Sequence, residues 1–242
     1  MRNLEFLKSS PIAHRGLHSE EKKIIENSLG AFKAAIDNKL IIELDVHLLK
    51  DNEIVVYHDD NINRLTNVDK NIKEFTYEEL KKIKLNGSNE CIPKLTEVLN
   101  LVNGKVPLLI EIKNDNPVGT LEPKLANILD SYKGDYAIQS FNPLSINWFK
   151  KNRPNVIRGQ LSSNFKNDKM NILKKFILSK MLLNCITKPD FISYDVSSID
   201  LKSVKKLRAK RMILGWTVRS REEYERLIKH YDNLICEGFK IV

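Results

Sequence analysis

Short runs rich in β-branched residues alternate along this chain with amphipathic segments of helical period, and that alternation limits the available folds most. Nine runs read as strands: residues 11–16, 40–49, 54–59, 106–113, 135–141, 156–161, 191–196, 212–218 and 233–236. Helical patterns over 28–38, 95–103, 121–132, 144–152, 170–185, 199–208 and 221–230 fill most of the gaps. Strands alternating with helices predict βαβ units and a parallel sheet. The runs are nearly continuous in apolar residues, as strands covered on both faces require.

Nine strands are one too many for a closed (β/α)8 barrel. The second and third are separated only by Lys50-Asp51-Asn52-Glu53, whereas parallel neighbours need a crossover of about a dozen residues or more. This pair is therefore read as an antiparallel hairpin reaching past the barrel rim, which leaves eight parallel strands. Its returning arm brings His58 back to about the level of Asp45. Residues 60–92 carry no barrel element and read as a small insertion with one helix at 77–83. The expected fold is α/β: a (β/α)8 TIM barrel with a small insertion after an extended β-hairpin. The 242 residues, 1–242, suffice for one such domain.

A formal net charge of +9 points to an anionic partner but does not choose among nucleic acid, a lipid surface and a phosphorylated small molecule. No nucleic-acid motif and no basic stripe interleaved with aromatics is present, so nucleic acid is not expected. Cys91, Cys185 and Cys236 lie far apart, in neither metal spacing nor a disulfide framework, as expected in a reducing cytoplasm. Residues 1–10 include Arg2, Glu5 and Lys8 and lack the apolar core of a signal peptide. No run of about 18 apolar residues predicts a membrane span. A cytoplasmic location is the expectation.

Strand side chains alternate between faces, so Glu43, Asp45 and His47 share one face. Glu111 and Lys113 share a face at the C-terminal end of a later strand, where a barrel builds its active site. Buried carboxylates are costly without a compensating cation. Three converging at one barrel mouth suit a hard divalent cation such as Mg2+ or Ca2+. The competing account is a set of buried salt bridges with Lys113 and Arg15. His14 and His58 also fall at strand ends, and two histidines beside three acids form an acid/base pair titrating near neutrality. His18, His47 and His230 are read as structural, His47 least firmly because it shares the face of Asp45.

Taken together, His14-Arg15-Gly16, Glu26-Asn27-Ser28, Ile42-Glu43-Leu44-Asp45-Val46, Val55-Val56-Tyr57-His58-Asp59, Ile110-Glu111-Ile112-Lys113, Ser140-Phe141 and Gly215-Trp216-Thr217-Val218 resemble, in order and spacing, the glycerophosphodiester phosphodiesterases. The resemblance covers nearly the whole chain. It implies cleavage of glycerophosphodiesters such as glycerophosphocholine to glycerol 3-phosphate and an alcohol. By position it implies Glu43, Asp45 and Glu111 as ligands of one divalent cation and His14 and His58 as general acid and base. It also implies Arg15 and Lys113 on phosphate oxygens and Trp216 against the glycerol or its leaving group. Ile25, Asn38-Lys39-Leu40, Asn52 and Cys236-Glu237-Gly238-Phe239 depart from the family pattern, and none of these is expected to touch the catalytic groups. The alternative is a lysophospholipase D-type or other lipid phosphodiesterase on the same barrel, such as a relative of the phosphoinositide-specific phospholipases C. The segment 174–186 keeps it open, because Lys174, Lys175 and Lys180 accompany Phe176, Ile177, Leu182 and Leu183, a pattern suited to peripheral membrane contact. An ordinary barrel-covering helix is the competing reading.

Overall fold

All nine expected strands form in the computed structural model, which describes residues 3–114, 117–166 and 168–240. In chain order they open with β1 (Ile12–Ala13), α1 (Leu29–Asp37) and the hairpin β2 (Ile41–Leu48) and β3 (Ile54–Val56). The short helices α2 (Asn63–Thr66) and α3 (Tyr77–Leu80) follow, then α4 (Leu95–Val102) and β4 (Leu108–Ile112). Next come α5 (Leu121–Leu129), β5 (Tyr136–Ser140), α6 (Pro143–Asn152), β6 (Ile157–Ser162), α7 (Ile172–Ser179) and α8 (Asn184–Thr187). The chain ends with β7 (Phe191–Asp195), α9 (Leu201–Arg208), β8 (Met212–Val218), α10 (Arg221–Leu227) and β9 (Asn233–Cys236).

The sheet runs β1-β9-β8-β7-β6-β5-β4-β2 and closes through β1 on β2, so eight parallel strands make a (β/α)8 barrel. The ninth, β3, pairs antiparallel with β2, Val46 opposite Val56 and His47 opposite Val55. Tyr57 N donates to Asp45 O at 3.0 Å. The returning arm thus sets His58 one residue beyond the level of Asp45.

Two apolar layers hold the barrel. Outside, the strands pack against the helices through residues such as Ile42, Leu44, Ile110, Phe32 and Phe149. Inside, Ile12, Ile41, Leu109, Phe191 and Leu214 fill the lower barrel, and Leu7 from an unforeseen 3-10 turn at Glu5–Lys8 closes it from below. Gly159 makes this filling possible, since a Cβ there would meet the Phe191 ring at 2.1 Å. Residues 60–92 add a separate apolar cluster of Ile62, Ile72, Phe75, Leu80 and Ile92 on Val55 and Tyr57 of the hairpin. The segment contains two helices and a 3-10 turn at Ile72–Glu74 where one helix was expected.

The expected helix at 170–185 is two helices. Helix α7 stops at Lys180, and Met181 takes a left-handed conformation (φ 51°), which an α-helix cannot carry. No helix among the described residues is long and apolar enough to cross a membrane.

Candidate active site

Register places the chemistry. Asp45 lies beside Glu111 across β2 and β4, and Ile41, Glu43, Asp45 and His47 climb one face of β2. The lowest of these joins the apolar barrel filling, and the acids above it form the floor of the mouth. One carboxylate oxygen from each of Glu43, Asp45 and Glu111 lies within 4.8 Å of the others, all buried. Glu43 Oε1 has no hydrogen-bond partner among the described residues. Glu43 Oε2 accepts from Arg15 N at 3.0 Å, and Asp45 Oδ2 accepts from Asn27 Nδ2 at 2.9 Å.

Two cations face these acids. Lys113 Nζ stands 2.5 Å from Glu111 Oε1 and 3.0 Å from Asp45 Oδ1. Arg15 Nε is 3.6 Å from Asp45 Oδ2, and its NH1 donates to Glu26 Oε1 at 2.7 Å. The salt bridges of the competing account therefore exist, but they leave one carboxylate in excess. Burial, then the charges of Asp45 and Glu111, push the Glu43 carboxyl well above its usual range. Burial also raises Glu111, against the pull of Lys113. For Asp45 burial pushes upward, but Lys113, His58 and Arg15 outweigh it and hold the group below its ordinary value. A buried oxygen cluster with an unsatisfied Glu43 oxygen and net negative charge fits a hard divalent cation.

Each of the two histidines carries a carboxylate on Nδ1. His14 Nδ1 is hydrogen-bonded to Glu237 Oε2, and His58 Nδ1 to Asp59 Oδ1 at 2.6 Å. His14 Nε2 stands 4.0 Å from Glu43 Oε2. Burial lowers both histidines below their usual value, opposed by Glu237 at His14 and by Asp45 at His58. His47 is buried at 1% exposure, donates from Nε2 to His58 O at 3.1 Å, and is held at about 4 by burial. It ties the two hairpin arms together. Trp216 packs edge-on against Phe141, ring centres 5.5 Å apart, and its buried Nε1 has no acceptor among the described residues.

The motif around residue 27 now has a physical account. Glu26 pairs with Arg15, Asn27 with Asp45, and Ser28 caps α1 by accepting from Ala31 N at 3.1 Å. Arg15 is itself left-handed (φ 56°), and the next residue, Gly16 (φ 79°), could not carry a Cβ without meeting the Ala31 backbone at 2.9 Å. Two groups escaped the sequence reading. Glu237 lies in a segment expected to stay clear of the catalytic groups, yet it holds His14, because closure of β9 onto β1 brings the two ends of the chain together. Arg64, from α2, donates to Asp59 Oδ2 at 2.6 Å and to both Glu26 oxygens at 2.7 and 3.0 Å.

An eight-stranded barrel with an acid cluster, two carboxylate-braced histidines and two cations at its C-terminal mouth is the scaffold of a barrel hydrolase acting on an anion. The chain belongs to the glycerophosphoryl diester phosphodiesterase family, whose profile matches residues 14–232. A glycerophosphodiester phosphodiesterase of Caldanaerobacter subterraneus subsp. tengcongensis is 32% identical over 237 residues, covering 92% of this chain and 91% of its own. A lysophospholipase D of Rattus norvegicus is 33% identical over 141 residues, 53% of this chain and 43% of that one. The fold matches a phosphodiesterase from Oleispira antarctica in complex with the product sn-glycerol-3-phosphate, with TM-score 0.78, 22% identity and coverage of 95% and 93%. It also matches a glycerophosphodiester phosphodiesterase from Thermotoga maritima, with TM-score 0.73, 24% identity and 95% of each chain covered.

Proposed function

We propose that this protein is a single-domain enzyme that hydrolyses glycerophosphodiesters, such as glycerophosphocholine, to glycerol 3-phosphate and an alcohol, using one Mg2+ or Ca2+. The observation that carries the reading is the convergence of Glu43, Asp45 and Glu111 within 4.8 Å in a barrel mouth that also gathers His14 and His58. Those three carboxylates would hold the cation, which when bound supplies positive charge to phosphate oxygens.

Arg15 and Lys113 lie beside the same carboxylates and would hold the phosphodiester anion, Arg15 through its planar fork and Lys113 as a point charge. One histidine takes the proton of the nucleophile, water or the glycerol 2-hydroxyl. The other protonates the leaving alkoxide. Burial lowers both imidazoles below their ordinary value, which suits the one that accepts a proton, and the one that donates must carry its proton on Nε2 as an imidazolium held by the carboxylate on its Nδ1. The hydrogen bonds on Nδ1 leave Nε2 as the working atom of each ring. Trp216 would pack against the glycerol or its leaving group.

The test is glycerol 3-phosphate release from glycerophosphocholine with Mg2+ or Ca2+ and with EDTA. Release that EDTA abolishes supports the reading, and no release with either cation overturns it. A cytoplasmic site of action is supported by three free cysteines, Cys91, Cys185 and Cys236. Peripheral contact with an anionic membrane through 174–186 is supported by the exposure of Phe176, Leu182 and Ile186 at 53%, 48% and 52%.

A further inference from the structure

Opposite the mouth, the closed end of the barrel holds a second cleft, of about 630 Å3, between the segments that lead into β5 and β6. Tyr132 and Tyr136 line it, with ring centres 6.3 Å apart and planes inclined at 59°. Gly134 makes this wall possible. A Cβ there would meet the Tyr132 ring at 2.5–2.6 Å, so the ring folds down over its own loop only because residue 134 has no side chain. The Tyr132 hydroxyl is fixed in turn, accepting from Gly104 N at 3.1 Å. Both rings touch the core on one side and remain partly exposed on the other.

The charges around the rings are unequal. Arg153 lines the same cleft, but its charge is matched by Asp130: Nε lies 3.1 Å from both carboxylate oxygens, and NH2 donates to Oδ2 at 2.7 Å. Asp135 also lines the cleft, and its exposed carboxylate has no hydrogen-bond or ion-pair partner among the described residues. It stands near enough to Tyr132 for its charge to raise that phenol, after burial, above the ordinary value. A ligand therefore meets two aromatic rings and one uncompensated negative charge. Tyrosine rings beside a carboxylate attract a cation whose charge is clothed in alkyl groups. A hard metal ion needs about six oxygen ligands, which the rings displace. An anion would be repelled by Asp135.

We propose that this cleft is a binding site for a small organic ammonium ion bearing alkyl groups, separate from the barrel mouth and independent of the phosphodiesterase reading. The ion lies in the angle between the Tyr132 and Tyr136 rings, within about 6 Å of their centres, and Asp135 balances its charge.

The test is calorimetric titration of the protein with tetramethylammonium chloride, compared with sodium chloride at equal ionic strength. The expected result is saturable binding of the organic cation and none of sodium. Asp135→Asn removes an exposed charge without changing shape, and Gly134→Ala displaces the Tyr132 ring from a surface loop. Each weakens binding by about two- to fivefold, as loss of one exposed ion pair or cation–π contact does. Glu111→Gln, in the mouth, leaves the affinity unchanged, which separates this cleft from the acid cluster. Weakening in either cleft variant, with the Glu111→Gln affinity kept, sustains the site. Absence of saturable binding, binding that sodium reproduces, binding indifferent to both cleft changes, or binding lost in Glu111→Gln overturns it.

Discussion

At the scale of single residues, the site is a set of charges holding one another in place. Arg15, Glu26, Arg64, Asp59 and His58 form one continuous chain of contacts, each no longer than 3.0 Å. The chain links the candidate phosphate arginine to a candidate catalytic histidine through a residue of the insertion. Removing either histidine should be the most damaging change. His14→Ala or His58→Ala is expected to lower kcat by at least about 100-fold, the low end for a general acid or base. Near-wild-type turnover in either variant would remove that histidine from the mechanism. Arg64→Ala should lower kcat by about 10- to 100-fold, as loss of a partner supporting a working group does, with folding intact because Arg64 is a surface side chain at 45% exposure. An ordinary surface ion pair contributes about 0–1 kcal/mol to stability. A variant with unchanged kcat would place Arg64 in that class.

At the scale of elements, what could be read in advance depended on how local the signal was. The period-2 alternation of Glu43, Asp45 and His47 needs one strand to be seen, and the short loop at 50–53 forces the hairpin whatever follows it. The contact of Glu237 with His14 joins residues 223 apart, and only barrel closure creates it. Arg64 stands in a four-residue helix with no periodic pattern to announce it. The break after α7 turns on a left-handed Met181, a residue type with no preference for that conformation, so the unbroken apolar pattern concealed it. The exposure of Phe176 and Leu182 still has a consequence. Lys174, Lys175 and Lys180 flank them, and attraction to anionic lipid is worth about 1 kcal/mol per basic residue near the surface. Co-sedimentation with phosphatidylserine-containing vesicles should therefore occur at low salt and weaken with added salt. Phe176→Ser should weaken it further. Binding indifferent to both changes would remove α7 from any membrane contact.

At the scale of the whole molecule, the barrel should be limited by alkali. Burial raises the Cys236 thiol from 9.0 to about 12, and burial likewise raises the phenols of Tyr57 and Tyr231 from 10.0 to about 12. All three are acids kept neutral in the folded chain, with exposures of 1% each. Above about pH 9 the unfolded chain loses the cysteine proton and the folded chain keeps it. The unfolded state then binds fewer protons, so stability falls as pH rises, and the tyrosines add to the slope from about pH 10. The fall from each group ends near pH 12, where the folded group also ionises. For Cys236 the effect amounts to about 1.4 kcal/mol between pH 8 and pH 10. Cys236→Ala loses buried volume at every pH and is less stable than the wild type at pH 8. It carries no thiol to titrate, so the gap between the two proteins in urea unfolding should narrow by about 1.4 kcal/mol on going to pH 10. A gap that stays constant across that interval would mean that the thiol is not held neutral, and that closure of β9 onto β1 does not shield it from water.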